Sequence, residues 1–335
     1  MAKKDRSQIW VKTYQFRLKL TKEEEQRLQV CADGTRFIYN WGLAYFKDCL
    51  KRNEEEPEAK HPFPRKFDMI KMITPLKRQP EHAWLYQVPN MCLQQAIIDL
   101  CLSMTAFFRE RKRNPLYGFP RFKKRGFRES FRFAQGIEWS PYRIKLPVLG
   151  TLSYYHSYYR PVTGEIKQAT IKWDGLHWYI CIVTERPALN IAAAPQEPVT
   201  ISMKDIENKP CLVVGDKTIE IPRSLEDNLP RLVRLSRRFS RCTKDSKRWH
   251  KANKRLTKLH IKIANKRKDF LHKTSAQIVE QYNHLQATAK DVKKEIMENT
   301  TKAANRKTHD CAWSNFIEYL KYKSLWNGKK LDIIK

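Results

Sequence analysis

The sequence is short of acidic residues and lacks several common motifs. Its 335 residues include 66 Lys and Arg but only 35 Asp and Glu, which gives a formal net charge of +31. This charge lies far outside the range of an ordinary small-substrate enzyme, and it attracts phosphate-rich partners. No GxGxxG, GxxxxGK(S/T) or HExxH sequence is present, so common nucleotide-binding and zinc-hydrolase signatures are missing. We therefore expect a nucleic acid partner and no small-molecule substrate.

Cysteine pairs and long apolar runs are also missing. The eight Cys residues are scattered without a CxxC pair, which favours free thiols in a reducing cytoplasm and argues against a zinc ribbon. No apolar run approaches the roughly 18 residues that a membrane span needs, and the first residues lack the apolar core of a signal peptide. We expect a cytoplasmic protein with no membrane partner.

The most basic stretch is Pro230–Leu285, which has the pattern of two helices. Its segment Arg231–Lys273 holds 17 Lys and Arg and two acids, Asp245 and Asp269. Apolar residues recur every three or four positions on both sides of a polar break at Cys242–Ser246. Opposite charges at i,i+4 are nearly absent, so the charged faces repel themselves. The pattern predicts a helical hairpin with one apolar seam and two cationic faces that bind a polyanion; a solvated charged surface is the alternative.

The first 55 residues have the pattern of a strand followed by two helices. Residues Tyr14–Leu20 alternate apolar and polar side chains, as a half-buried strand does. Thr21 and Glu24 have capping-box spacing and predict a helix through about Gln29. We expect Gly34 to break this helix and a second one to span Arg36–Arg52. The pair forms a candidate helix-turn-helix, although two short helices around a glycine are common.

A second basic segment follows an amphipathic helix predicted over Pro89–Arg111. Residues Arg109–Arg132 contain ten Lys and Arg and two Glu, with aromatic residues interleaved. Alternating basic and aromatic residues offer phosphate contacts and stacking planes for nucleic acid. The alternative is that the aromatic side chains belong to the core. Further on, Asp174-Gly175 predicts a two-residue hairpin turn, and strands alternate with helices from Val199 onward, as in an α/β domain.

A family resemblance runs through nearly the whole chain, in order. It is carried by YQFRLKLTKEEEQRL (Tyr14–Leu28), TRFIYNWGLA (Thr35–Ala44), WLYQVPNMCLQQAIIDL (Trp84–Leu100), FFRERKRNPLYGFPRFKKRG (Phe107–Gly126), SFRFAQGIEW (Ser130–Trp139), RIKLPVLG (Arg143–Gly150), LSRRFSR (Leu235–Arg241), IANKRKDFLHK (Ile263–Lys273) and FIEYLKYKSLWNGKKLDII (Phe316–Ile334). The sequence resembles the TnpB family of transposon-encoded RNA-guided DNA nucleases, relatives of the type V CRISPR effectors.

The resemblance implies a multidomain α+β fold. An OB-like β-barrel wedge domain is expected at residues 1–20 and 130–190, and a helical recognition domain at 21–129. A RuvC-like domain with the RNase H fold is expected at 196–335, without the zinc finger that follows in the family.

Two family positions lack their carboxylates. The first catalytic Asp of the family falls at Ser202, and the catalytic Glu falls at Thr288. The resemblance implies that the family's third catalytic Asp would follow Lys335 and is missing here. Two-metal hydrolysis needs several carboxylates to hold its Mg²⁺ ions, so these hydroxyls predict a nuclease-dead chain that is not an enzyme and has no Mg²⁺ or Zn²⁺ site. Asp205, Asp291 and Asp310 remain in the neighbourhood.

The resemblance then looks closest to nuclease-dead TnpB-like repressors of bacteria. Such a protein is implied to carry a guide RNA, to pair it with double-stranded DNA at a promoter beside a short motif, and to block transcription there; a flagellin promoter is our expectation. The alternatives are an active RNA-guided endonuclease or transposition accessory protein, a guide-independent DNA-binding regulator and a structural RNA-binding protein. Both a monomer and a homodimer remain open.

Two groups of residues are candidates for nucleic-acid contacts. Reading of the motif beside the target is expected from amide side chains, which suit adenine edges: Asn90, Gln94, Gln95 and Gln135. Contacts to RNA or DNA phosphates are expected from Arg109, Arg111, Lys112, Arg121, Lys123, Lys124, Arg125, Lys247, Arg248, Lys254, Arg255, Lys266 and Arg267.

Overall fold

The structure is a computed structural model that describes residues 9–56, 58, 62–126, 129–156, 161–187, 197–207, 209–288, 297–298 and 301–334. The chain divides into two compact units. The first spans Val11–Arg186, and the second contains Ile9, Trp10 and the described residues from Pro187 onward. Both units combine helices with a sheet, which confirms the predicted mixture of α and β structure. The three predicted domain ranges stay predictions.

The first unit contains a seven-stranded sheet with the order β2-β6-β7-β1-β5-β4-β3. Its strands are β1 (Ile9–Lys19), β2 (Ser130–Phe133), β3 (Glu138–Ser140), β4 (Arg143–Leu146), β5 (Gly150–Tyr154), β6 (Glu165–Trp173) and β7 (Trp178–Pro187). The predicted strand Tyr14–Leu20 lies within β1 apart from its last residue, Leu20. Tyr14, Phe16 and Leu18 are buried, because alternate side chains of a strand point to the same face.

The prediction of a closed barrel is wrong for the described strands. Strands β2 and β3 lie at opposite edges of the sheet order, and each pairs with one neighbour. The sequence pattern of short alternating strands fits an open sheet equally well, because barrel closure depends on strand tilt and stagger that alternation does not encode.

The hairpin at Asp174 also differs from expectation. Four residues, 174–177, connect β6 and β7 instead of the predicted two. The Asp174 carboxylate accepts hydrogen bonds from the backbone N–H groups of Leu176 and His177 at 2.7 and 2.8 Å.

Three α-helices and a 3-10 helix pack in the same unit. They are α1 (Lys22–Glu55), α2 (Lys66–Arg78), the 3-10 helix Pro80–Gln87 and α3 (Asn90–Arg111). The predicted capping box begins α1: Glu24 N donates to Thr21 Oγ1 at 3.2 Å, and Thr21 N donates to Glu24 Oε2 at 2.7 Å. The apolar faces of these helices share one core with the sheet.

Gly34 does not end a helix, so the predicted break is wrong. Helix α1 runs unbroken through this position. A Cβ atom at Gly34 would lie 2.6 Å from Val88 Cγ2 and 3.4 Å from Leu85 Cδ2. The glycine therefore lets the segment that carries Leu85 and Val88 approach the helix closely. Tertiary packing outweighs the weak helix propensity of glycine here, and Lys22–Glu55 forms one continuous helix instead of the two predicted ones.

The second unit contains a five-stranded sheet with the order β10-β9-β8-β11-β12. Its strands are β8 (Val199–Ile206), β9 (Lys209–Val214), β10 (Lys217–Glu220), β11 (His284–Thr288) and β12 (Lys330–Ile334). Strand β11 is parallel to β8 and β12, whereas β9 is antiparallel to β8 and β10. The helices are α4 (Leu229–Ser240), α5 (Lys247–Gln281), α6 (Lys302–Cys311) and α7 (Trp313–Trp326). The predicted basic hairpin is therefore present as α4 and α5.

Helix α3 is long and apolar enough to cross a membrane by length and composition. Its residues Leu93, Ile97, Leu100 and Met104 are buried in the core of the first unit. The apolar face of α3 is thus already covered by protein, as in the core helix of a folded domain.

The close approach at Gly34 predicts a coupled stability effect. Gly34→Ala gains about 1 kcal/mol of helix propensity, but overpacking against Val88 costs roughly 1–3 kcal/mol. We expect the single change to lower the free energy of unfolding, measured in urea, and to be less damaging in a Val88→Ala background, where the obstructing methyl groups are gone. An equal effect in both backgrounds would show that Val88 does not restrict this position.

Candidate nucleic-acid interface

The basic loop that follows α3 is fixed to α1 through its backbone. Asn40 on α1 donates its side-chain amide to Lys123 O at 3.0 Å and accepts from Lys123 N at 2.8 Å. The Lys123 ammonium lies 4.0 Å from the ring centroid of Tyr39, also on α1. The two hydrogen bonds form a clamp that holds the loop through its backbone, and the cation–π contact of Lys123 adds to them.

Two acidic residues fix the end of the same loop. Asp33 Oδ2 lies 3.1 Å from Arg125 Nη2, and Asp33 Oδ1 lies 2.6 Å from Arg36 Nη2. Glu129 is buried and accepts a 2.7 Å hydrogen bond from Gly126 N. Gln29 donates to the other Glu129 oxygen at 3.2 Å. The loop therefore has a defined path along α1 before any partner binds.

The predicted phosphate-binding residues of this loop differ in how free they are. Arg109 pairs with Glu110, Arg111 donates to Tyr117 O, and Arg125 pairs with Asp33. Of the predicted residues, Lys112, Arg121 and Lys124 are exposed and have no side-chain partner among the described residues, and the same holds for Arg113, which was not predicted. These exposed cations are the best placed for phosphate contacts.

The interleaved aromatic residues divide between core and surface. Phe131 and Phe133 are buried, and Phe119 packs against Phe107 with ring centroids 5.0 Å apart. Tyr117 and Phe122 are exposed, and the Lys47 ammonium lies 4.5 Å from the Phe122 ring centroid. Of these five described residues, Tyr117 and Phe122 are thus exposed enough to stack on bases, and Phe127 lies outside the described residues.

The predicted motif-reading residues lie near one end of α3. Asn90 and Gln135 are exposed, and Gln94 and Gln95 are half-buried. Gln135 follows β2 instead of lying on it. A hydrogen bond from Ala134 N to Met91 Sδ, at 3.3 Å, brings the turn after β2 beside the start of α3.

Gln95 has an internal partner. Its side-chain oxygen accepts from Arg132 Nη2 at 2.8 Å, and the same nitrogen lies 2.5 Å from Asp99. Asn90, Gln94 and Gln135 are left with free amides among the described residues. Base reading by these residues stays a prediction.

In the second unit, α4 and α5 are held together by a narrow apolar seam. Phe239 and Trp249 contact each other with ring centroids 5.2 Å apart. Ala252 is buried on α5, whereas no residue of α4 is fully buried. Ser246 caps α5 by accepting a 3.1 Å hydrogen bond from Trp249 N. One face of α4 is thus packed and the rest of it is solvent-exposed.

The predicted cations of α5 fall into two groups. Those exposed to solvent are Lys247, Arg248, Lys254, Arg255 and Lys266. Arg267 instead points toward α6: it donates to the carbonyl of His309 and lies 3.9 Å from Asp310 Oδ1. Its guanidinium is therefore partly used within the protein.

Sequence reasoning missed the arginines of α4. Together with cations of α5 they line a groove of about 860 Å³ between the helices. Its cationic lining consists of Arg234, Arg237, Arg238, Arg241, Arg248, Lys251 and Arg255. The signal was in the sequence, because Arg234, Arg238 and Arg241 are three or four positions apart and share one helix face.

Ser202 and Thr288, the two positions predicted to replace family carboxylates, lie on neighbouring strands. Leu285, Gln286 and Ala287 of β11 pair in parallel with Val199, Thr200 and Ile201 of β8. The same register places the next residues, Thr288 and Ser202, next to each other. Both are half-buried, and Trp313 Nε1 donates to Thr288 O at 3.0 Å.

Asp310 is buried, and both oxygens of its carboxylate accept hydrogen bonds. Its carboxylate accepts from Leu225 N at 3.0 and 2.9 Å and from Glu226 N at 3.3 Å. Burial raises the pKa of Asp310, although the two backbone N–H groups and Arg267 oppose the rise. These contacts fix the turn that leads into α4.

The described carboxylates do not fit a two-metal site. Asp205 lies 3.4 Å from Lys307 Nζ, and Asp310 is occupied by backbone N–H groups. The described residues contain no group of three or more His, Cys, Asp or Glu side chains that could hold a metal ion. Asp291 lies outside the described residues. We derive no metal-dependent step, and the prediction that Mg²⁺ and Zn²⁺ are absent is untested.

Comparisons with known proteins define the class of the chain. A family model described as "Probable transposase" (OrfB_IS605) matches residues 209–301, and one described as "Helix-turn-helix domain" matches residues 11–55. The "Putative RNA-guided DNA endonuclease InsQ" of Escherichia coli K12 is 31% identical over 95% of this chain and 79% of its own length. This protein belongs to the TnpB family, as the sequence resemblance predicted.

More distant relatives carry similar names. A "Putative RNA-guided DNA endonuclease" of Streptomyces pristinaespiralis is 26% identical over 96% of this chain and 77% of its own length. The names of these relatives contradict the prediction that the chain is not an enzyme, and that prediction was wrong. It rested on Ser202, Thr288 and one further catalytic position, whereas the similarity to InsQ extends over 95% of the chain.

Two solved structures are similar at low TM-score. "Cryo-EM structure of the Cas12f1-sgRNA-target DNA complex" gives a TM-score of 0.27 at 11% identity and covers 97% of this chain and 84% of that one. "Cryo-EM structure of CRISPR-Cas12f Ternary Complex" gives 0.31 at 9% identity and covers 93% and 71%.

The clamp on the basic loop predicts a local change in hydrogen exchange. Asn40→Ala removes the acceptor of the Lys123 N–H group, and losing one such bond costs about 1 kcal/mol, or roughly fivefold faster exchange. We expect this acceleration at Lys123 in hydrogen–deuterium exchange, and none in Asn90→Ala, which removes an exposed amide without a partner. Unchanged protection of Lys123 in Asn40→Ala would show that other contacts hold the loop.

Proposed function

We propose that this protein binds a guide RNA and uses it to recognise double-stranded DNA. The observation that carries the proposal is the α4–α5 hairpin, whose exposed cations have almost no acidic partners. A polyanion neutralises such a surface and gains affinity from counterion release. The relatives named as RNA-guided DNA endonucleases support the choice of RNA and DNA.

We also infer that the second unit is the RuvC-like domain of the family. The order β10-β9-β8-β11-β12, with an antiparallel half and a parallel half, supports this inference. The seven-stranded sheet of the first unit would then serve as the wedge domain, in an open form.

The finer proposal is that the guided complex represses a gene by occupying its promoter, with a flagellin promoter as the expected target. A protein–RNA complex bound at a promoter obstructs the polymerase whether or not the DNA is later cut. This proposal rests on the sequence resemblance. The names of the relatives favour a second function, cleavage of the recognised DNA.

The guide can be identified directly. The protein is expressed with its native flanking DNA and purified, and the RNA that accompanies it is sequenced. We expect one enriched species with a constant scaffold and a short variable end. The same protein expressed without the flanking DNA is the control and should lack this species. A broad sample of cellular RNA in both preparations would contradict guided recognition.

The DNA target then separates binding, repression and cleavage. A plasmid carries a sequence complementary to the variable end of the guide, beside candidate motifs, in the promoter of a reporter gene. We expect the complex to retain this plasmid in a binding assay and to lower reporter expression, while a scrambled target gives neither effect.

The same plasmids incubated with Mg²⁺ report cleavage. Linear or nicked product from the matched plasmid alone would establish the endonuclease function. Equal retention of matched and scrambled DNA would contradict recognition by base pairing.

A further inference from the structure

We propose that the groove between α4 and α5 binds the phosphate backbone of a single-stranded stretch of RNA. This inference deepens the proposed function, since it assigns the guide RNA a site on the hairpin. The groove has a volume of about 860 Å³ and lies wholly within the second unit.

The lining of the groove is cationic on both sides. Helix α4 contributes Arg234, Arg237, Arg238 and Arg241, and α5 contributes cations at 248, 251 and 255. No Asp or Glu lines the groove. Within the described part of the chain, none of these seven side chains makes a hydrogen bond or ion pair. The groove therefore offers seven positive charges that the protein itself leaves uncompensated.

The three acids of the hairpin, Asp245, Asp269 and Glu280, are absent from the lining of the groove. Asp245 is exposed in the turn between the helices and is not part of the lining. Asp269 lies beyond the groove on α5, where it forms a 2.8 Å ion pair with Lys273. The positive charge of the groove must therefore be neutralised by a bound anion.

The groove is formed before a ligand arrives. The Phe239–Trp249 contact and the Ser246 cap fix the turn that joins the helices. At the other end, Asp310 fixes the backbone of Leu225 and Glu226 just before α4. A preformed site loses less conformational entropy on binding than a flexible one.

The side chains of the groove favour one strand of RNA. Its cationic lining comes from both helices, so a single phosphate backbone that follows the groove contacts cations on both sides. All four cations from α4 are arginines, whose planar guanidinium groups bind phosphate oxygens in bidentate fashion. Thr243 in the lining offers a hydroxyl group, and a ribose 2′-OH is the feature by which a protein distinguishes RNA from DNA.

Two variants with equal loss of charge test the groove. Arg238→Gln/Arg241→Gln removes two groove cations. Lys258→Gln/Lys262→Gln removes two exposed cations of α5 that do not line the groove. Both variants lower the net charge of the same hairpin by two, so a general electrostatic effect is the same in both. Circular dichroism and thermal unfolding of the full-length variants establish that both remain folded.

The measurement is a salt titration of binding to three labelled probes: a single-stranded RNA, the DNA strand of the same sequence and the corresponding DNA duplex. For the groove variant we expect at least tenfold weaker RNA binding and a salt slope smaller by about 1.4, since each lost phosphate contact on a single strand lowers the slope by about 0.7. The α5 control should change RNA affinity less than threefold.

Equal losses in the two variants would overturn the proposal, because charge alone would then explain binding. A groove variant that loses affinity for the DNA strand or the duplex, but not for RNA, would overturn it as well. Sequencing the RNA bound to the wild-type protein is a separate readout. If no species is enriched, the guided function fails, while the probe titrations still decide whether the groove binds RNA.

Discussion

Repulsion between cations is the force that the α4–α5 hairpin must withstand before any partner binds. Two unit charges about 6 Å apart in water repel each other by roughly 0.7 kcal/mol, and salt at about 0.15 M screens charges beyond about 8 Å. Repulsion between two exposed cations therefore lowers the stability of the hairpin only modestly. Burial of a large apolar side chain contributes about 1.5–3 kcal/mol, and Leu259 and Ile263 of α5 are both buried. The apolar residues can thus offset the repulsion and leave the charges available to a partner.

Asp310 connects this charged surface to the sheet domain below it. Its buried carboxylate accepts N–H groups from the turn before α4 and faces Arg267 of α5. One side chain thereby positions the start of one basic helix and contacts the other. A buried carboxylate is costly unless it is hydrogen-bonded or paired, and both conditions are met here. This arrangement accounts for an acidic residue in a strongly basic region without assigning it a metal.

Local patterns predicted the elements that depend on neighbouring residues alone. The capping box at Thr21, the amphipathic helix α3 and the basic hairpin follow from spacing over a few positions. The predictions failed where a distant contact decides the outcome. Gly34 remains helical because Val88 approaches it, and the first sheet stays open because strand tilt is a property of the whole sheet.

The candidate site shows the same division. Its abundance of positive charge was evident from composition, and several of its residues were identified by their position in basic segments. The sequence did not show which cations are already used: Arg125 pairs with Asp33, which is 92 positions away, and Arg267 contacts the α6 helix. Nor did it show that arginines of α4 and α5 face each other.

Charge density therefore identifies the class of partner, whereas the internal pairing of charges determines where that partner binds. A cation that already pairs within the chain binds phosphate less strongly, because the phosphate must compete with its internal partner. Among the cations discussed above, those without a partner in the described residues include Lys112, Arg121 and Lys124 in the first unit and the cations of the groove in the second. A nucleic acid that binds these cations in the folded protein stabilises it by RT ln(1 + [L]/Kd), which grows with the logarithm of the affinity. Binding of the proposed RNA and the stability of the hairpin would consequently be coupled through the same charges.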